Sequence, residues 1–78
     1  MDIRIRNVWF DGEYIFIKLT DDRVIGNPIK WFTNLSKGSP EQREKYKIVH
    51  NGLALRWDEL DEDLSAEGFL SSSYHLDF

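Results

Sequence analysis

Cysteine is absent from the 78 residues of the chain. Its absence excludes a disulfide staple, a thiolate nucleophile and a cysteine-based zinc site, and it fits a reducing compartment. Length is short as well: a domain of this size buries only about 60% of its unfolded surface, so it supports one core and leaves little room for a deep, walled active site. A non-enzymatic role without cofactors is the expectation. Long apolar runs are missing too. The longest, Tyr14 to Ile17, stops at Lys18, whereas a membrane helix needs roughly 20 residues. The start, Met1-Asp2-Ile3-Arg4, has no apolar stretch of the signal-peptide kind. These absences predict a cytoplasmic protein with no membrane partner. Ten basic against fourteen acidic residues, a net charge of -4, weigh against a nucleic-acid binder that works through bulk charge.

What is present reads as strands first. In Ile3-Arg4-Ile5-Arg6-Asn7-Val8, strict alternation puts Ile3 and Ile5 on one face and Arg4 and Arg6 on the other. Phe10-Asp11-Gly12-Glu13 has the composition of a tight hairpin turn. From about Tyr14 to Thr20 a second strand shows Ile15, Ile17 and Leu19 on one side and Tyr14, Phe16 and Lys18 on the other. Asp21-Asp22 breaks it, and Arg23-Val24-Ile25 resumes an extended run closed by Gly26-Asn27-Pro28. The N-terminal third is predicted to be a three-stranded antiparallel meander.

After Pro28 the period lengthens: Ile29, Phe32 and Leu35 fall on one helical stripe, with Asn27 as N-cap, Pro28 in the first turn and Lys37-Gly38 as the stop. Ser39-Pro40-Glu41-Gln42 restarts a helix with a capping box and predicts a second short helix to about Tyr46. The stretch from Ile48 to Trp57 has apolar runs around Asn51-Gly52, which forms either a hairpin or a linker into one further strand from Leu53 to Trp57. Ser65-Ala66-Glu67-Gly68 opens a last helical turn. Residues 1–70 are thus expected to form one α+β domain, a small antiparallel sheet with two or three short helices, and Ser71 to Phe78 a loosely held tail.

From Gly26 to about Leu70 the order of segments resembles a small bacterial family catalogued as domain of unknown function 2442. The resemblance rests on Pro28-Ile29-Lys30-Trp31-Phe32, Ser39-Pro40-Glu41-Gln42-Arg43, Gly52 with Leu53-Ala54-Leu55-Arg56-Trp57, and Leu60-Asp61-Glu62-Asp63-Leu64-Ser65-Ala66-Glu67-Gly68-Phe69-Leu70. It implies a small α+β domain with no established activity. Some relatives carry an added helix-turn-helix segment, for which this chain has no room; others are encoded beside a second small protein in an arrangement resembling toxin–antitoxin pairs. An antitoxin-like partner of a basic protein is what that arrangement implies here.

The most conspicuous chemistry is the acidic run, Asp58, Glu59, Asp61, Glu62 and Asp63, followed by Glu67. Its spacing does not fit a calcium loop, because Leu60 and Leu64 interrupt the alternate oxygens and Asp63 stands where a glycine is needed. Leu60 and Leu64, four apart, fit one side of a helical turn anchored to the core, with the carboxylates facing water or a partner. Paired-carboxylate catalysis needs a cleft and divergent environments, and nothing in the run signals either. His50 and His75 lie in no nucleophile or metal motif, and the glycines are isolated, so no phosphate loop exists. Trp9, Trp31 and Trp57 read as core or core rim.

A second candidate is the solvent side of the meander, where Arg4, Arg6, Tyr14, Phe16 and Lys18 would form a basic face with aromatics, suited to single-stranded nucleic acid. Against it stands cover by the C-terminal segment or by another copy of the domain, that is, a homodimer through the Tyr14/Phe16 face. Charge favours the acidic segment: residues 1–55 carry nine basic and seven acidic groups, residues 56–78 one and seven. The leading expectation is therefore a protein-interaction module whose acidic patch meets a basic surface.

Overall fold

A computed structural model describes residues 3–74, with the side chains of residues 71–74 left aside. The N-terminal meander forms as expected, from β1 (Ile5–Asp11), β2 (Tyr14–Leu19) and β3 (Val24–Pro28), antiparallel in the order β1-β2-β3. Ile15, Ile17 and Leu19 are fully buried on its inner face. The expected strict alternation of β1 needs a correction. The register slips between Ile5 and Asn7, a bulge that spends one extra residue and so lets Ile5 and Val8, an odd distance apart, both point inward. The hairpin loop is Gly12-Glu13, with Asp11 paired to Tyr14; Gly12 has φ +52°, the conformation that a first loop residue of this kind requires and glycine adopts freely.

Helical period after Pro28 is also interrupted. A 3-10 turn covers Ile29–Trp31, and α1 (Thr33–Lys37) begins only after Phe32, whose backbone is extended. Asn27 caps neither. It is a fully buried strand residue whose Nδ2 donates to the Phe69 carbonyl at 3.0 Å. The capping box forms as read, Ser39 and Gln42 exchanging bonds at 2.9 and 3.1 Å. The helix it opens, α2 (Pro40–Arg43), stops short of Tyr46.

Around Asn51-Gly52 the hairpin alternative holds. β4 (Lys47–Val49) and β5 (Ala54–Trp57) flank a 3-10 turn in which His50, Asn51 and Gly52 all have positive φ. The acidic run then supplies a strand where a helical turn was expected: β6 (Glu62–Ser65) pairs with β5, Leu64 opposite Leu55 and Asp63 opposite Arg56. Leu60 belongs to the connecting turn and rests on Gly38, where a Cβ would lie 2.8 Å from its methyls. Strand wins over helix because pairing with β5 turns Leu64 toward the buried Leu55 and Trp57 side while Asp63 points out.

α3 (Ala66–Tyr74) runs on past the expected single turn into the segment read as tail; His75 to Phe78 lie outside the described residues. The helix joins the two sheets. Ala66 N–H donates to the Leu53 carbonyl at 2.8 Å, and Phe69 stacks on Phe32 with centroids 5.8 Å apart. Trp57, also buried, donates its indole N–H to the Arg43 carbonyl at 2.8 Å. Among the described residues the fold is α+β, two three-stranded antiparallel sheets with three short α-helices.

Candidate functional site

Two surfaces compete for the role of site, and each follows from strand register. On the first sheet, pairing of Asn7 with Lys18, Trp9 with Phe16 and Asp11 with Tyr14 sets these residues on the outer face. Trp9 and Phe16 lie with ring centroids 5.6 Å apart and Tyr14 follows Phe16 at 6.1 Å, all three rings near-parallel. Phe16 leans across β3 onto Gly26, where a Cβ would come within 2.5 Å of its ring. Both ends of the row are open, Trp9 39% and Tyr14 45% exposed, while Phe16 between them is half-buried. Trp9 thus departs from the expected core or rim position, whereas Trp57 is buried and Trp31 half-buried. The signal for Trp9 is available in the sequence, since counting alternation back from the Gly12-Glu13 loop, rather than forward from Ile3, places it beside Phe16.

The cations expected on this face are largely committed elsewhere. Arg4 turns to the Asn51 turn, its guanidinium donating to the Asn51 carbonyl and its stem resting on Gly52. Arg6 and Lys18 both face Asp22, at 3.5 and 3.9 Å, while Asp11 stands on the same face as Tyr14. The face is therefore aromatic and close to neutral, a poor source of the phosphate contacts that dominate nucleic-acid affinity. At its Tyr14 end the row runs into an open groove of about 420 Å³ whose walls include Trp31, Lys30 and Arg43. Arg43 is fixed there by its bonds to the Leu35 and Ser36 carbonyls, both 3.0 Å.

On the second sheet the acidic residues do come together, but with cations among them. Asp58 meets Lys47 at 2.6 Å, Glu59 meets Lys45 at 3.1 Å and Asp63 meets Arg56 at 2.9 Å. Hydrogen bonds from Lys47 and Lys45 hold the Asp58 and Glu59 carboxyls below the usual carboxylate range, and Asp63 raises Arg56. Lys47 and Arg56 are direct cross-strand neighbours, so the aspartates separate two like charges that would otherwise repel. Asp61, Glu62 and Glu67 have no cation within ion-pair distance among the described residues. Glu62 is pushed up, first by partial burial and then by Asp63 and Asp61. No group of three potential metal ligands converges among the described residues, and His50 lies exposed in the β4–β5 turn.

Among the described residues, two antiparallel three-stranded sheets bridged by the helix α3, with an aromatic row on one sheet and a charge lattice on the other, define a small α+β domain. The chain belongs to the family described as protein of unknown function (DUF2442), whose model matches residues 5–75. It is similar in fold to a protein of unknown function from Rhodospirillum rubrum, with TM-score 0.81 at 23% identity, covering 92% of this chain and 89% of that one. It is also similar to an uncharacterised protein from Chromobacterium violaceum, with TM-score 0.74 at 26% identity, covering 87% of this chain and 64% of that one. No curated protein matches. No helix among the described residues is long and apolar enough to cross a membrane.

Proposed function

We propose that this domain is a non-enzymatic protein-interaction module and that its contact surface is the outer face of β1–β3. The observation that carries the reading is the row Trp9–Phe16–Tyr14, in which Phe16 stacks on both neighbours and the two end rings are exposed, on a face whose charges nearly cancel. Large aromatics at the centre of a patch, with charge kept to the rim, are the composition of interface cores. The partner fitted to it presents an apolar patch of its own. Hot-spot side chains of this kind cost about 2 kcal/mol or more when truncated. Co-purification of partners with the full chain, with and without Trp9→Ala/Tyr14→Ala, is the test. Loss of the captured protein with unchanged circular dichroism is expected, and undiminished capture overturns the assignment.

A second reading keeps the acidic segment as the contact, in the manner of an antitoxin-like partner of a basic protein. It is favoured by Asp61, Glu62 and Glu67, whose charges no cation offsets among the described residues. Changing Asp61, Glu62 and Glu67 to their amides separates the two. Capture lost in these variants, and retained in Trp9→Ala/Tyr14→Ala, assigns the contact to the acidic segment.

A further inference from the structure

Most cations of this acidic chain are paired with its own carboxylates. Arg6 and Lys18 face Asp22, Arg23 turns back to Asp21, and Lys45, Lys47 and Arg56 hold Glu59, Asp58 and Asp63. Lys30, Lys37 and Arg43 have no carboxylate within ion-pair distance among the described residues. Their positions in the fold are not scattered. Lys30 and Arg43 line the groove at the Tyr14 end of the aromatic row, together with Trp31, and Lys37 directly follows its lining residue Ser36. Glu13, the carboxylate in the same wall, pairs with neither cation.

Arg43 is set in place by the fold itself. The buried Trp57 donates to its backbone carbonyl at 2.8 Å, and its Nε and Nη2 donate to the Leu35 and Ser36 carbonyls at the end of α1, both at 3.0 Å. Those bonds engage one side of the guanidinium. Its Nη1 has no acceptor among the described residues and stays open to solvent. A side chain held in this way loses little freedom on binding, which is what preorganises a contact to an anion. Lys30, exposed on the 3-10 turn, adds a second positive charge.

We infer that this groove takes an aspartate or glutamate side chain of an acidic peptide, as the charged end of a segment whose apolar side chains lie on the aromatic row; the inference rests on the reading of that face as the contact surface. The carboxylate lies between Arg43 Nη1 and the Lys30 ammonium, with Trp31 and Tyr14 supplying apolar surface beside it. Charge distribution selects a peptide over a nucleic acid. A nucleic acid carries a phosphate at every nucleotide and draws its affinity from cations repeated along its path. Here the unpaired cations stand at one end of a row whose other charges nearly cancel, which matches one carboxylate next to several apolar side chains.

The test uses the full chain on arrays of short capped peptides, randomised except for one fixed position that is aspartate, asparagine or lysine. The aspartate array is expected to bind best, at peptides with apolar or aromatic neighbours, and to bind less as salt rises. For the best peptide, Arg43→Gln is expected to weaken binding about tenfold, the effect of losing one charged hydrogen-bonded contact. Because Arg43 also ties α2 to α1, Lys30→Glu provides the same test at an exposed side chain, with circular dichroism unchanged and a similar loss. Lys45→Gln, on the second sheet, leaves binding as it was. Equal binding to the aspartate and asparagine arrays overturns the inference, as does an aspartate preference that survives both Arg43→Gln and Lys30→Glu. Tighter binding of an oligothymidylate than of any peptide overturns it in favour of nucleic acid. The two readings fail separately: binding that Trp9→Ala weakens but that shows no aspartate preference removes the carboxylate and keeps the aromatic row. An aspartate preference lost in Lys30→Glu, with no effect of Trp9→Ala, keeps the groove and removes the row.

Discussion

The two sheets of this domain have the same topology and opposite sources of order. The first turns Ile15, Ile17 and Leu19 fully inward and leaves an aromatic row outside. The second is built of strands of three and four residues. Only Leu55 and Trp57 are fully buried among its strand residues, and three ion pairs lace its exposed side. Burial of apolar surface is the larger stabilising effect, and exposed ion pairs contribute little each. The acidic run, for all its density, therefore does structural service at the three carboxylates that hold cations, and only Asp61, Glu62 and Glu67 remain for anything else.

That contrast breaks first if Ile17→Ala fails to unfold the domain more readily than any change in the charge lattice. The expected loss is about 2–5 kcal/mol, read as a shift in the denaturation midpoint. Next comes Trp57→Phe, which keeps most of the ring but leaves the Arg43 carbonyl without its donor. A loss of about 1 kcal/mol is expected for a hydrogen bond removed at a half-buried carbonyl, measured the same way. Smaller again is Asp58→Asn with Glu59→Gln. Both carboxyls are lowered in the fold, so their stabilisation is present at neutral pH and lost as pH falls through the lowered values. The variant should match the unaltered protein in acid and in about 1 M salt, where screening acts within roughly 3 Å. Smallest is Glu62→Gln. Because Glu62 is raised, its ionisation costs stability above the ordinary carboxylate range and costs nothing below it. A slight gain in melting temperature at pH 7, absent at low pH, is expected.

Much of this was readable from residue order. The meander, the Ser39/Gln42 box and the hairpin at Asn51-Gly52 follow from local patterns that tertiary packing had no reason to override. Asn27 did not, because a cap and a buried strand amide use the same side chain, and only α3, distant in sequence, supplies the Phe69 carbonyl that decides between them. Its Oδ1, buried without a donor among the described residues, is a polar group no local pattern would place there. The acidic run misled in a similar way. Leu60 and Leu64 fit a helical spacing, yet one packs on Gly38 and the other faces Leu55. The aromatic face was half legible: Tyr14, Phe16 and Lys18 by alternation, Trp9 only once the bulge at Arg6 is known.

The sequence by itself determined the class of fold, the number of cores and the segregation of charge, since composition, period and turn chemistry are local properties of the chain. Tertiary structure alone decided which charges are spent on one another and that both ends of the row of rings stay open. Those are matters of register and of distance between segments far apart in sequence, and a single bulged residue is enough to change them.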